Sequence, residues 1–412
     1  MTPSVIHLRS SNGIYGAEQM LLGLCQEQTR RGIDSSIVVF AHSGRDHPAL
    51  LASAAARGLQ SFALPCSGPI DTRAVQRLRS LLDGRGCAGA EVLHCHDYKS
   101  VVYGFLASAG LPIARVATLH GWLRNDVRLR VYRWLELRML RGFDRVCAVS
   151  AAIEQELLDA GIDAARIRRV DNGVDTDRFR PLAGQPARRD DDGPIRLGCA
   201  ARLSPEKNLP QLLLAIAECR ARGRRVHLAI HGEGPLRGEL ERLVARLGLG
   251  DRVTLPGAND RLEAWYPTLD AFVLPSLTEG MPMTVLEALA CGCPVVASAV
   301  GAIPELLAGV PGCRTVPAGD QEALVEALLA VPRRSLPRAG GRERVVSLHG
   351  LGAMAQRYDT LYREALEQRN EGVPAAPRPC NGAPPDQLRE RILIERRARR
   401  RSQTTLPPPS RP

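Results

Sequence analysis

The sequence predicts an α/β protein built of two doubly wound domains that face each other across a cleft. Three observations predict it. The chain has 412 residues, enough for two ordinary domains with a core each. Short β-rich runs alternate with helical patterns, which is how a parallel sheet covered by helices on both faces reads. The alternation stops once, at an aperiodic stretch rich in Pro, Gly and charge, and then restarts. Each half is therefore expected to be Rossmann-like, with ligand held beyond the carboxyl ends of the strands.

In the first half, strand patterns occupy 5–8, 37–40, 92–94, 116–119 and 146–149, and a helical pattern fills 17–30. Residues 181–194, PLAGQPARRDDDGP, read as the linker. The second half runs strand 195–200, helix 210–222, strand 226–230, helix 236–247, strands 252–255 and 271–274, helix 283–291 and strand 294–297. A helical pattern at 351–368 closes the ordered part. The expected organisation is an N-terminal domain over 1–180, a linker over 181–194 and a C-terminal domain over 195–345. A helical segment over 346–369 is then available to pack back on the first domain. Residues 370–412 carry nine arginines against four acidic residues, are rich in Pro and lack apolar periodicity. They are expected to be a disordered basic tail.

Composition narrows the function classes. Charged residues at 24% and apolar residues at 44% fit a soluble globular protein. No run of about 18 apolar residues reads as a membrane span. Residues 1–5 enter a strand pattern at once, without the basic and apolar regions of a signal peptide. The eleven cysteines are scattered, mostly inside apolar runs such as those of Cys95, Cys147, Cys199 and Cys219. They read as small buried hydrophobes in a reducing compartment, so the expected location is cytoplasmic. Cys291 and Cys293 form the one close pair, and no second pair stands at zinc-site spacing. A net charge of +11 would attract phosphorylated substrates, anionic lipid or nucleic acid. Nucleic acid is not expected as a partner, because no recognition motif is present and aromatics make up 4%.

The most informative segment is 275–288, PSLTEGMPMTVLEA. Strand 271–274 runs into a loop bearing Glu279. Pro282 suits the start of a helix and Gly292 its end. The first amides of that helix, on Met283, Thr284 and Val285, lack intrahelical partners and make a ready diphosphate site. Glu279 before the helix and Glu287 inside it can accept hydrogen bonds from sugar or ribose diols. Taken singly, each glutamate reads as a solvated loop or helix-face residue; the segment as a whole points to the site. His94 and His96 share a strand face with Asp97 beyond. They could offer a metal trio, but no metal site is expected.

The segment Glu279 to Glu287 resembles the E-x7-E motif of retaining glycosyltransferases, in particular glycosyltransferase family four, which has the GT-B fold. Other pieces agree in order and spacing. Residues 201–208, ARLSPEKN, resemble the family's basic segment after the first strand of its second domain. Residues 231–235, HGEGP, resemble its Gly-rich turn, and 172–175, NGVD, the approach to the interdomain linker. Residues 118–121, TLHG, resemble the strand that ends in an active-site histidine, here His120. The resemblance covers roughly residues 1–367.

It implies a donor site in the second domain. Arg202 and Lys207 follow a strand and precede a helix. Two cations there can neutralise a diphosphate leaving group as its charge develops. Glu279 would orient the donor sugar and Glu287 would hold the ribose. The nucleobase would sit near Gly232, Gly234 and Leu255 to Gly257. A neutral His120 could bond the transferred sugar or assist the acceptor. The loop 11–18, SNGIYGAE, joins the first strand to the first helix, and in family members reaches the donor phosphate, here through Gly16. The usual form has adjacent glycines; this chain has Tyr15 before Gly16.

The implied partners are a nucleotide-sugar donor and a glycan or lipid-linked acceptor of a cell-surface polysaccharide pathway. Transfer is expected to be retaining and metal-independent, with no further cofactor. A nucleotide-sugar epimerase of the same fold, or a binding protein without turnover, stays open from sequence. The stretch 122–145 is basic and amphipathic. Arg124, Arg128, Arg130, Arg133, Arg138 and Arg141 interleave with Trp122, Tyr132 and Trp134. It reads either as a helix with a solvated basic face or as a peripheral contact with an anionic inner membrane face.

Overall fold

The structure is a computed structural model. It describes residues 3–371 apart from 12, 43–48, 69–70, 85–88, 122–126, 183–192 and 333–338. Most of the expected linker, nearly all of the expected tail, and Trp122 and Arg124 of the basic stretch lie outside the described residues, as do the side chains of Arg128 and Arg130.

Two parallel sheets organise the chain. The first contains β1 (Val5–Arg9), β2 (Ser35–His42), β3 (Gln60–Cys66), β4 (Val92–Cys95), β5 (Ala114–Leu119), β6 (Arg145–Ala148) and β7 (Ile167–Arg169). Their spatial order is β3-β2-β1-β4-β5-β6-β7. The second contains β8 (Ile195–Ala200), β9 (Val226–His231), β10 (Val253–Gly257), β11 (Ala271–Leu274), β12 (Val295–Ser298) and β13 (Arg314–Val316). Here the order is β10-β9-β8-β11-β12-β13. Each sheet reverses its direction of growth once, beside β1 and beside β8. Crossover connections leave on opposite faces at such a point and open a crevice beyond the strand ends.

Helices on both faces explain the apolar runs. Strands β4, β6, β11 and β12 are buried at every residue. Burying each Val or Leu side chain there stabilises the fold by about 1.5–3 kcal/mol. The described cysteines are free thiols, buried except for the half-buried Cys313. Strands β7 and β13, IRR and RTV, escape the sequence pattern because edge position and arginines leave no apolar run.

The chain leaves the second half through helix Ala339–Leu348 and returns to the first through helix Leu351–Glu371. That last helix runs two residues into the stretch expected as tail. It lies against β5 and helix Gly16–Arg30. Tyr358 Oη meets Thr118 Oγ1 at 3.0 Å, and Tyr362 Oη meets His94 Nδ1 at 2.8 Å. Both tyrosines are fully buried. The two halves also touch directly. Asn172 Nδ2 donates to the Met281 carbonyl at 2.9 Å, and Arg178 pairs with Glu263 at 2.9 Å. Among the described residues, no helix is long and apolar enough to cross a membrane.

Candidate active site

A cleft of about 1010 Å³ opens between the carboxyl edges of the two sheets. The first half lines it with Arg9 at the end of β1, with Tyr15 and Gly16 beyond that strand, and with His120 after β5. The second half contributes Arg202 and Lys207 after β8, Gly232 after β9, and Glu279, Met283, Thr284 and Glu287 after β11.

Lys207 and Glu279 stand together although 72 residues separate them. Lys207 Nζ is 2.6 Å from Glu279 Oε1, and Ser276 Oγ donates to the same oxygen at 2.7 Å. The backbone fixes the pair. The Leu277 amide donates to the Glu206 carbonyl at 2.8 Å, tying the short turn Pro205–Lys207 to the glutamate loop. Asn208 follows at φ 51°, a left-handed conformation that asparagine tolerates better than most residues. It turns the chain from Lys207 directly into helix Leu209–Ala221.

Glycine geometry brings the glutamate loop to the other half. A Cβ at Gly280 would sit 2.3 Å from the His120 carbonyl oxygen. At Gly301, φ 57°, it would sit 2.3 Å from the Glu279 carbonyl oxygen. Residues 279–280 thread between these two backbones, so His120 and Glu279 share the floor of one cleft. Gly232, at φ 138°, lets the 231–235 turn approach β8: a Cβ there would lie 1.9 Å from the Ala201 carbonyl oxygen.

Five expected ligand positions do not line the cleft: Gly234, Leu255, Pro256, Gly257 and Val285. Gly234 is packed on Leu203, whose carbonyl oxygen a Cβ would meet at 2.4 Å, so its role is close packing. Leu255 offers its carbonyl to Arg237 Nη2 at 2.8 Å. Val285 is fully buried, and its amide bonds the Pro282 carbonyl at 3.2 Å. The amides of Met283 and Thr284 have no hydrogen-bond partner among the described residues.

Burial sets the protonation of the site. Burial pushes the Glu287 carboxyl up to about 7, against the opposing pull of a 2.8 Å bond from Tyr266 Oη. Burial, aided by the Arg9 charge, lowers the His120 imidazole to about 3. His120 is thus neutral at physiological pH, and its Nε2 is shut off from solvent without a partner among the described residues. Such a group can donate to or accept from a sugar hydroxyl.

Behind His120 lies a histidine cluster. His7, His94 and His96 bring ring nitrogens within 4.8 Å of one another, a spacing that could hold a metal. Most of those nitrogens are already hydrogen-bonded. His7 Nδ1 meets His96 Nε2 at 3.0 Å, and His7 Nε2 meets Gln28 Oε1 at 2.9 Å. His94 is held by Tyr362 Oη and, at 2.7 Å, by Thr118 Oγ1. The trio read from sequence is not the one assembled. Asp97 instead caps helix Tyr98–Ala107 and accepts the Ser10 amide at 2.6 Å, and His7 takes its place.

Two family models match the chain. "Glycosyltransferase Family 4" matches residues 14–178 and "Glycosyl transferases group 1" matches residues 194–333. The chain is 30% identical over 295 residues to the MMP alpha-(1->4)-mannosyltransferase of Mycolicibacterium hassiacum, covering 66% of this chain and 70% of that protein. It is 33% identical over 266 residues to the GDP-mannose-dependent alpha-(1-6)-phosphatidylinositol monomannoside mannosyltransferase of Mycolicibacterium smegmatis, covering 58% and 69%. This chain belongs to the family 4, group 1 glycosyltransferases. Among solved structures, the glycosyltransferase superposes on Anabaena HepE in complex with UDP and glucose with a TM-score of 0.74 at 18% identity, covering 87% of this chain and 98% of that one. Sucrose-phosphate synthase of Thermosynechococcus elongatus gives 0.71 at 22% identity, covering 89% and 100%. The two facing parallel-sheet domains of the glycosyltransferase are the GT-B fold.

Several groups in or behind the cleft of the glycosyltransferase carry no local signal. Tyr266 reaches Glu287 from a short 3-10 turn 21 residues earlier. Arg9 bonds Glu18 at 2.8 Å and the His96 carbonyl at 2.9 Å, and Arg178 lines the cleft from the interdomain approach. Each is an ordinary residue in sequence and becomes a site residue only through topology.

Proposed function

We propose that the cleft transfers a hexosyl group from a nucleoside-diphosphate sugar to a hydroxyl acceptor with retention at the anomeric carbon. One observation carries this reading. The Lys207–Glu279 pair, Arg202 and the free amides of Met283 and Thr284 surround one end of a cleft that the neutral His120 faces from the other half. Lys207, Arg202 and the amides would bind the diphosphate and stabilise the charge it gains on leaving. Glu279 would hold donor-sugar hydroxyls, and Glu287 the ribose. His231, Gly232, Ala258 and Asn259 line the place left for the base. In the reaction the bond from the anomeric carbon to the phosphate oxygen breaks. The acceptor oxygen bonds the same face, and its proton passes to the departing phosphate.

The names of relatives support the substrate class, since the Mycolicibacterium smegmatis protein is named for GDP-mannose and a phosphatidylinositol mannoside. The test is direct. The chain is incubated with UDP- and GDP-hexoses and hydroxyl acceptors, with and without EDTA, and the product's anomeric configuration is read by NMR. Retained configuration and undiminished rate under chelation are expected. An inverted product, or activity lost to EDTA and restored by a divalent ion, would overturn the corresponding part.

The same reading includes a lipid-linked acceptor and peripheral contact with anionic membranes. Trp134 is 64% exposed on helix Val127–Leu140, with exposed Arg138 and Arg141 four and seven residues on, along the same face. Tyr132, on the same helix, stacks on Tyr98 with ring centroids 5.1 Å apart. Each cation near an anionic surface adds roughly 1 kcal/mol. Vesicle co-sedimentation should show salt-sensitive binding to anionic vesicles, weakened by Trp134→Ala. Equal recovery with neutral vesicles would remove the membrane from the proposal.

A further inference from the structure

Tyr15 precedes Gly16 in the loop after β1; it lines the cleft and is 45% exposed. The loop holds it in one place. Tyr15 is the N-cap of helix Gly16–Arg30, its amide donates to Glu18 Oε2 at 3.0 Å, and its carbonyl accepts from the Gln19 amide at 3.0 Å. The ring folds back over Gly13: a Cβ there would lie 2.9 Å from Tyr15 Cε2. The guanidinium of Arg202, from the other domain, stands over the ring. Arg202 Cζ lies 5.7 Å from the ring centroid, within cation–π range. Arg202 is exposed, and among the described residues no carboxylate pairs with it.

A long, exposed arginine without an acidic partner samples many rotamers, and fixing it costs side-chain entropy when a ligand binds. An aromatic face that attracts the guanidinium removes part of that cost beforehand and leaves its N–H groups free for an anion. We propose that Tyr15 is a positioning residue. Its ring, braced on Gly13, holds the Arg202 guanidinium across the interdomain cleft for the donor's β-phosphate. The inference rests on the proposed role of Arg202 as a donor-phosphate cation. It assigns the tyrosine at this position a task that a glycine could not perform.

Calorimetric titration tests it with UDP and GDP, and with the matching monophosphate of whichever binds the full chain. Tyr15→Leu should weaken diphosphate binding about threefold to tenfold, the range of an exposed to partly desolvated cation–π contact. Tyr15→Phe should restore it, and monophosphate binding should be unchanged by either. In an Arg202→Ala background, Tyr15→Leu should add nothing. Undiminished diphosphate affinity in Tyr15→Leu, an equal loss with the monophosphate, or a full additional loss without Arg202 would each overturn the proposal alone. If Arg202→Ala leaves diphosphate affinity intact, or neither nucleotide binds, the donor-site reading fails and the tyrosine's role falls with it.

Discussion

Lys207→Ala is expected to reduce transfer by about a hundredfold or more, and Glu279→Gln by a similar factor, with the fold intact in both. A fixed group that stabilises charge developing in the transition state typically contributes on that order. Lys207 would supply such a charge to the leaving diphosphate. Its 2.6 Å contact with Glu279, which also accepts from Ser276, means that neither side chain is free to drift. The Glu279 side chain is 8% exposed, so removing the lysine also strands a poorly solvated carboxylate. The double variant should therefore melt above Lys207→Ala, although it is no more active. Steady-state transfer rates and melting curves for the three variants decide the matter. Near-normal turnover in both single variants would remove the pair from the chemistry.

The second large effect is on acid stability. Burial lowers the His7 imidazole to about 4 and His120 to about 3, and puts His94 and His96 well below their ordinary value. The native state therefore holds these rings neutral where the unfolded chain, with histidines near 6.5, would protonate them. Above pH 6.5 the two states bind equal numbers of protons there. As pH falls from 6.5 towards 4, the unfolded state binds more and stability declines, by roughly 1.4 kcal/mol per pH unit for each such ring. His7 alone contributes a loss of about 3 kcal/mol across that window, a large share of the roughly 5–15 kcal/mol of a typical fold. Thermal melts at pH 7.5 to 4.5 should show a steep drop beginning near 6.5. His7→Gln should start lower at pH 7.5, because the bonds to Gln28 and His96 go, yet fall less steeply in acid. A flat profile down to pH 5 would mean that these histidines are not buried as the structure has them.

Much of this architecture is legible in the chain because parallel strands buried on both faces read as apolar runs, as at β4, β6, β11 and β12. Edge strands lack that signal; β7 and β13 are three residues each and rich in arginine or threonine. The convergence of Lys207, Glu279 and His120 on one cleft follows from strand-end position, which periodicity can give. Individual contacts do not follow. Val285 looked like a third free amide, but the Pro282 carbonyl takes it, a detail of how that helix begins. Gly234 packs against the Leu203 backbone and Leu255 offers its carbonyl to the Arg237 side chain, so neither lines the cleft. The partner of Glu287, Tyr266, is invisible because nothing local couples a tyrosine to a glutamate 21 residues later.

The closing helix has a consequence for how this protein is made. Tyr362 is the hydrogen-bond partner of His94, 268 positions earlier, and of Gln28, 334 positions earlier. While the ribosome is still building the second half, the first sheet exists with its buried histidines and Gln28 lacking those partners, and with the apolar ground under Tyr358 uncovered. Such long-range closures come late, because loop entropy must be overcome before the contact repays it. Domains generally fold in order of synthesis. Here the half that emerges first is completed last, by a piece of chain that follows the entire second sheet. Until then it is an open core whose apolar ground and buried histidines await the closing helix.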